Sequence, residues 1–282
     1  MKQQIADALD RALEVTVVGS FTRIGSSTRR QLHDWQPIDV DLSDRVILIT
    51  GGSSGIGRAT AERLADLGAS VVVTSRDIER AARVAAEIQF GRPGQVHGWS
   101  LDTSDFDSIA ELTDRTQKEF GRLDVLIHNA GALLAEYSET SYGIEYTLAS
   151  HLVGPYHLTK LMLPLLSGGY VLWMSSGGMY TQGLDVGRLA MPRSEYRGAV
   201  AYARAKRAQV ELVAHLGPQL APDVRMYAMH PGWVNTDGVS KGLPGFGKIM
   251  APLLRSAEEG ADTMVWLAAG LGDEFEPGAF FF

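Results

Sequence analysis

The chain has no cysteine, which excludes disulfides, thiolate catalysis and cysteine-ligated zinc. It contains no apolar run near the ~18–20 residues that a bilayer-spanning helix needs. A signal-peptide pattern is missing too, because Asp7, Asp10 and Glu14 interrupt any apolar core at the N-terminus. Positive charge is in deficit: 26 Lys and Arg stand against 33 Asp and Glu, a net charge of −7. A nucleic-acid partner wants a basic surface, so none is expected. There is no internal repeat, no low-complexity tract and no linker, and one domain is the simplest organisation. These absences suit a cytoplasmic protein with a small-molecule partner and no transmembrane segment.

What remains is an ordinary globular composition of 282 residues, 45% hydrophobic and 21% charged. Residues 1–43 read as an extension and 44–282 as the body. In the extension Ile5, Ala8, Leu9, Ala12, Leu13 and Val17 recur at helical spacing and predict a short amphipathic helix. Packing against the body or a second subunit is the simpler role for it. Peripheral membrane contact, helped by Arg23, Arg29 and Arg30, is the other, and no dense lysine cluster supports that role.

From residue 45 short apolar runs alternate with helical patterns. Strands are expected at Arg45–Thr50, Ser70–Thr74, Gln95–Leu101, Asp124–His128, Tyr170–Met174 and Val224–His230. Helices fit at Gly55–Leu67, Ile78–Ile88, Phe106–Phe120, Tyr142–Leu166 and Ala199–Leu216. Strand, helix, strand at this spacing implies parallel strands with right-handed crossovers: an α/β, Rossmann-type doubly wound sheet flanked by helices. Ligands on such a sheet bind beyond the carboxyl ends of the strands.

The first strand runs into Gly51-Gly52-Ser53-Ser54-Gly55-Ile56-Gly57. Gly51 permits a tight turn, Gly55 leaves room for a pyrophosphate, and Gly57 lets the helix pack close to the strand. The helix N-terminus offers free N–H groups to phosphate. Gly51, Ser53, Ser54, Gly55, Ile56 and Gly57 are therefore cofactor-binding candidates, against the blander reading of a flexible glycine loop. The second strand ends at Ser75-Arg76-Asp77. A free ribose 2′-hydroxyl usually meets an acid there, and a 2′-phosphate wants a cation. Ser75 is neutral and Arg76 positive, while Asp77 suits the cap of the next helix. This favours NADP over NAD, unless Arg76 is only a solvated surface charge. Asp102 follows the third strand, where an adenine could donate to it. Asn129-Ala130-Gly131 follows the fourth and lets the chain pass close to a cofactor.

Tyr202 and Lys206 lie four apart, one helical turn, so both side chains point the same way. A cation near a phenol favours the phenolate and makes the hydroxyl a proton donor and acceptor usable near neutral pH. A glycine turn upstream and this pair downstream together suggest redox chemistry on a carbonyl or alcohol. Tyr156 and Lys160 form a second such pair, deep inside a long helix, where packing is the expected role.

The ordered set T-G-G-S-S-G-I-G (50–57), N-A-G (129–131), Ser176 after a strand, Tyr202-x-x-x-Lys206 and Pro231-Gly232 resembles the short-chain dehydrogenase/reductase family over about residues 45–282. M-S-S-G-G-M (174–179), M-H-P-G-W (229–233) and E-G-A-D-T-M-V-W-L-A (259–268) further resemble one of its subgroups. The resemblance implies that Tyr202 is the acid/base and that Lys206 lowers its pKa and binds the nicotinamide ribose. It implies that Ser176 hydrogen-bonds the substrate oxygen, and that Pro231, Gly232 and Thr236 hold the nicotinamide end. Ser175 would point to the other side of an extended segment. A homodimer or homotetramer is also implied.

One position departs from the family pattern. His151 stands where the family places an asparagine that helps hold a water in the proton relay. A neutral imidazole can bridge the relay in its own way. Alternatively the relay is broken, with Ser150 as the nearby polar group, or His151 is only a packed helix residue. The stretch Gly177–Val200 is longer than in the shortest family members and is expected as an insertion beside the substrate cleft. Its Met179, Tyr180, Leu184, Leu189, Met191, Pro192 and Tyr196, with Trp233, hint at a small to medium, apolar carbonyl or alcohol substrate. The rivals to an enzyme are a dinucleotide-binding sensor or scaffold that has lost catalysis, and a methyltransferase on a similar sheet. The second leaves Ser176, Tyr202 and Lys206 unexplained.

Overall fold

The computed structural model describes residues 9, 10, 12, 13, 15–236 and 250–282. Seven strands form one parallel sheet: β1 Val46–Ile49, β2 Ser70–Ser75, β3 Val96–Ser100, β4 Val125–His128, β5 Gly169–Met174, β6 Val224–Met229 and β7 Phe280–Phe281. Their spatial order is β3-β2-β1-β4-β5-β6-β7. The order reverses between β1 and β4, where Ile47 pairs with Val125 and Ile49 with Ile127. That switch point opens the crevice in which such sheets take their ligands.

The helices are α1 Val17–Phe21, α2 Arg23–Leu32, α3 Gly55–Asp66, α4 Ile78–Gln89, α5 Phe106–Glu119, α6 Tyr146–Leu148, α7 Gly154–Met162, α8 Gly198–Leu220 and α9 Ala257–Ala268. The central strands β1, β4 and β5 are buried on both faces, as continuous apolar strands require. On one face Ile47 and Ile49 pack with Leu64, Ala65, Met264 and Val265 from α3 and α9. On the other, Leu48 packs with Ile109, Leu112 and Leu158 from α5 and α7. Full burial of each such aliphatic side chain contributes about 1.5–3 kcal/mol, so β1 anchors both layers.

The single Tyr142–Leu166 helix expected from periodicity is instead a run of four short segments. It starts at Tyr146, because the buried Glu145 carboxylate accepts from the Thr147 and Leu148 amides at 2.6 and 2.9 Å. A π-helical turn, Ala149–Val153, then separates α6 from α7. Beyond Met162 the chain tightens into a 3₁₀ turn around Pro164. α8 runs four residues past its expected end, to Leu220.

Ile5 and Ala8 of the anticipated N-terminal helix lie outside the described residues. Its described residues Leu9, Asp10, Ala12 and Leu13 are helical as expected, and two further helices follow, α1 and α2, the first capped by Thr16. Arg29 pairs with Asp10 at 2.5 Å and Arg30 with Asp262 at 3.4 Å, so two of the three arginines considered for a membrane surface are engaged within the chain. Among the described residues no helix is long and apolar enough to cross a membrane.

Candidate active site

The glycine turn lies beyond β1 and is fastened from two sides. Gly51 has φ +66° and donates to the Thr74 hydroxyl at 3.2 Å. Asn129 donates its side-chain amide to the Thr50 and Gly51 carbonyls at 2.9 and 3.0 Å, tying the turn to the end of β4. No side chain fits inside this cradle: a Cβ on Gly57 would lie 2.3 Å from Asn129 Nδ2 and 2.7 Å from the Gly51 carbonyl. Ser54 occupies the N-cap of α3 in extended geometry, and its side chain makes no capping bond. The first-turn amides of a twelve-residue helix are thus left to an outside acceptor. Thr236 approaches from the far side, its Cγ2 3.4 Å from where a Gly55 Cβ would stand. Ser53 is buried within the turn, and Ile56 is half-buried at the start of α3.

At the end of β2 the three polar residues separate by role. Asp77 caps α4, accepting from the Glu79 and Arg80 amides. Ser75 accepts from the Asp77 amide at 3.3 Å. Arg76 is exposed and donates to the Tyr146 hydroxyl at 3.0 Å, and that hydroxyl in turn lies 3.5 Å from Asp102 Oδ2. The other Asp102 oxygen accepts from the Ser104 amide and hydroxyl. Arg76, Tyr146 and Asp102 therefore form one linked edge of the crevice.

At the other end of the crevice, β5 delivers Ser175 and Ser176. Ser175 is buried and its hydroxyl donates to the Lys206 carbonyl at 2.9 Å. Ser176 points the other way, caps the 3₁₀ turn Gly177–Thr181 and hydrogen-bonds Tyr202. Tyr202 and Lys206 lie on the first turns of α8, with Lys206 Nζ 5.7 Å from the phenol ring centre.

The electrostatics of this pair differ from the sequence expectation. Burial pushes the Tyr202 phenol up, and the Ser176 hydrogen bond opposes that only in part. Lys206 is only 3% exposed, and desolvation lowers it from 10.5 to about 7. Its Nζ donates to the Met174 carbonyl at 2.7 Å rather than to the phenol. Spacing along a helix brings the two side chains together, but burial in a low-dielectric site sets the sign of the shift. As it stands, the pair is a neutral phenol beside a lysine whose charge burial disfavours.

His151 lies in the π-helical turn, fully buried, its ring edge-on to Tyr202 at 5.3 Å between centres. Its Nε2 lies 2.9 Å from the Ala132 carbonyl and 3.2 Å from the Ala132 amide, so either tautomer has a backbone partner. Nδ1 has none among the described residues. Burial and the nearby Lys206 lower its pKa to about 3, keeping the ring neutral. Gly131 makes room for it, since a Cβ there would meet the ring at 2.6 Å. Ser150 turns its hydroxyl back to the Tyr146 carbonyl and takes no part in the site.

Sequence reasoning missed Gln209. It is buried one turn after Lys206 and donates to the His151 carbonyl at 2.6 Å, meeting an acceptor in the widened turn. It also missed Tyr146, Phe21 and Arg255, none of which carries a local motif. Tyr156, expected to pack, is 37% exposed with Lys160 over its ring, on a solvent-facing side of α7. Pro231 is buried, and the Gly232 amide donates to His230 Nδ1 at 3.1 Å. The Gly177–Val200 stretch forms three 3₁₀ turns; Met179 and Met191 are buried, while Tyr180 and Leu184 are exposed. Among the described residues no cluster of side chains could hold a metal ion. A separate cavity of about 560 Å³ lies between Trp35 and helices α3 and α9. It holds none of the hydroxyl or amine groups of this site.

Known proteins share this architecture. The profile for short chain dehydrogenases matches residues 45–243. Human dehydrogenase/reductase SDR family member 12 is 36% identical over 249 residues, covering 87% of this chain and 78% of the relative. Human retinol dehydrogenase 12 is 33% identical over 250 residues, covering 86% and 79%. A solved short-chain dehydrogenase/reductase from Brucella melitensis superposes with a TM-score of 0.72 at 25% identity, covering 86% of this chain and 96% of that one.

Proposed function

The chain belongs to the short-chain dehydrogenase family and is an NAD(P)-dependent oxidoreductase, and we propose that it is an NADP(H)-linked reductase of small to medium, apolar carbonyl compounds. The observation that carries this reading is the convergence of Ser176 and Tyr202 hydroxyls at one end of a crevice whose other end is a glycine cradle. The cradle fits a dinucleotide: Gly51, Ser53, Ser54, Gly55, Ile56 and Gly57 would hold the diphosphate on the uncapped α3 amides. Arg76 would meet a 2′-phosphate, with Ser75 as its neutral neighbour and Asp102 at the adenine. Asn129 and Gly131 would border the cofactor, and Lys206, Pro231, Gly232 and Thr236 would hold its nicotinamide end. When bound, the nicotinamide supplies the hydride.

The chain's own residues do the rest. Ser176 and Tyr202 donate hydrogen bonds to the carbonyl oxygen, where negative charge develops. Tyr202 then gives up its proton to the alkoxide. A phenol raised by burial stays protonated at neutral pH, which suits an acid and hence the reductive direction. Lys206, near neutrality in its own titration, returns a proton to the phenolate with little penalty. His151 contributes a neutral wall that braces the Tyr202 ring. An apolar substrate suits the aromatic side chains Phe21, Tyr180 and Trp233 near Ser176, and one relative is named for retinol.

The opposing reading, a dinucleotide-binding scaffold without catalysis, draws on His151 at the asparagine position. A panel of apolar ketones and aldehydes with NADPH or NADH separates the two. Tyr202→Phe should abolish turnover and leave NADPH affinity nearly unchanged. Normal turnover by that variant refutes the acid assignment, and cofactor binding without turnover by the unmodified protein favours the scaffold. Arg76→Ala should raise KM for NADPH and spare NADH, and equal effects on both remove the case for NADP.

A further inference from the structure

We propose that the N-terminal segment Ser20–Thr22 is a working part of the active centre, with Phe21 and Arg255 as positioning residues. Arg255 grips the segment. Together they set the Pro231–Trp233 turn and the backbone just after Ser176. The proposal rests on the reading that these elements flank the hydride-transfer site.

Arg255 is only 7% exposed. Its guanidinium donates to the Ser20 carbonyl at 3.0 Å, the Thr22 carbonyl at 3.4 Å and the Pro231 carbonyl at 3.0 Å. One buried cation thus joins two segments more than two hundred residues apart. Arginine suits this position because its planar fork carries several donors at fixed angles, which a lysine lacks. The main chain completes the joint. Trp233 donates its amide to the Phe21 carbonyl at 2.7 Å, and the Arg255 amide donates to the Trp233 carbonyl at 2.7 Å. The Asn235 amide donates to the Arg255 carbonyl at 2.9 Å.

The side chain of Phe21 does a second job. Its ring stacks on His230 with centres 5.0 Å apart, and His230 stacks in turn on Phe282 at 5.4 Å. Trp233 and Tyr180 complete the cluster at 5.4 and 5.9 Å from Phe21. The same ring lies flush against Gly177, the residue after Ser176. A Cβ on Gly177 would stand 2.4 Å from Phe21 Cε1. Gly232 is matched in the same way: its φ is +75°, and a Cβ there would lie 2.7 Å from Arg255 Cζ and 2.8 Å from the Phe21 carbonyl. Two glycines, one beside each half of the active centre, therefore have the shape this segment requires. Phe21 and Arg255 both lie outside residues 45–243, the stretch that matches the family profile.

The test uses full-length Arg255→Met and Phe21→Ala, with Phe21→Tyr as the conservative variant, all assayed well below their melting temperatures. Amide hydrogen exchange at Trp233 and Asn235 should quicken by about tenfold or more in Arg255→Met, with β1 amides unchanged. Single-turnover hydride transfer should slow by about tenfold, equivalent to 1.4 kcal/mol in the barrier. Phe21→Ala should slow transfer similarly, and Phe21→Tyr should restore it. Wild-type rates in folded Arg255→Met and Phe21→Ala, with or without faster exchange, overturn the proposal. If Arg255→Met does not fold, Phe21→Ala against Phe21→Tyr decides alone. If the unmodified protein reduces no carbonyl, the functional reading fails. NADPH affinity and turn exchange then still decide the proposal: both must change about tenfold in Phe21→Ala, and unchanged values overturn it.

Discussion

Lys206 should make the cofactor-free protein less stable than it would be without it. Its side chain is buried, and desolvation takes its pKa from 10.5 to about 7. A shift of that size corresponds to about 5 kcal/mol of differential stability. The sign follows from proton counting. Between pH 7 and 10.5 the unfolded chain holds the lysine proton more tightly than the folded one, so stability rises with pH across that window. The full destabilisation is felt below pH 7 and vanishes above 10.5. Lys206→Met removes the penalty but also the donor to the Met174 carbonyl, and leaving that group unpaired costs about 1–3 kcal/mol. The net expectation near pH 7 is a gain of about 2–4 kcal/mol, or roughly 5–10 °C in Tm for a chain of this size. Urea unfolding of the apo proteins at pH 7 and 10 measures it directly. The variant should be the more stable at pH 7, should lose most of that advantage at pH 10, and should have no activity. A variant equal to or weaker than the parent at pH 7 would falsify the assignment of a desolvated lysine.

Three further expectations concern the rest of the site. His128, His151 and His230 are buried with pKa values lowered to about 3, 3 and 4, so each favours the folded state less as pH falls below 6.5. Together they steepen the loss to about 4 kcal/mol per pH unit between roughly pH 6 and 4; urea midpoints that stay level from pH 7 to 5 contradict this. Gly57→Ala pushes a methyl group to 2.3 Å from Asn129 Nδ2. It should weaken NADPH binding at least ~10-fold and cost about 1–3 kcal/mol of stability, whereas Gly183→Ala, with open space around it, should do neither. Tyr146→Phe removes the acceptor of Arg76. It should raise KM for NADPH roughly 3–10-fold, a hydrogen bond's worth of about 0.5–1.5 kcal/mol, and leave KM for NADH alone; equal shifts for both cofactors count against Arg76 as the 2′-phosphate group.

The sheet was legible because its central strands β1, β4 and β5 are short apolar runs buried on both faces. Gly51 and Gly57 were readable because only the missing Cβ matters, and it is missing in the sequence itself. The helix preceding Gly154 was less legible. Its apolar period continues through Ala149–Val153, yet the backbone widens into a π turn there. A Cβ on Gly154 would stand 1.6 Å from the Thr103 carbonyl, so contact with a distant loop competes with the local pattern. β7 was missed because two phenylalanines near the chain end carry no alternation, and only pairing with β6 makes them a strand.

The two errors about the chemistry have one cause. Helical spacing places Lys206 beside Tyr202, and from spacing alone the cation should lower the phenol's pKa. How much water surrounds the pair depends on Ser175, Met174 and His151, which arrive from other elements. Desolvation then reverses the expected direction for Tyr202 and lowers Lys206 from 10.5 to about 7. Arg255 escaped notice by the same logic, since a single arginine is ordinarily a surface charge. Its meaning comes from three carbonyls, two of them contributed by a segment at the opposite end of the chain. Local sequence therefore identifies which atoms meet at this site, while their protonation and alignment are set by burial that only the folded chain creates.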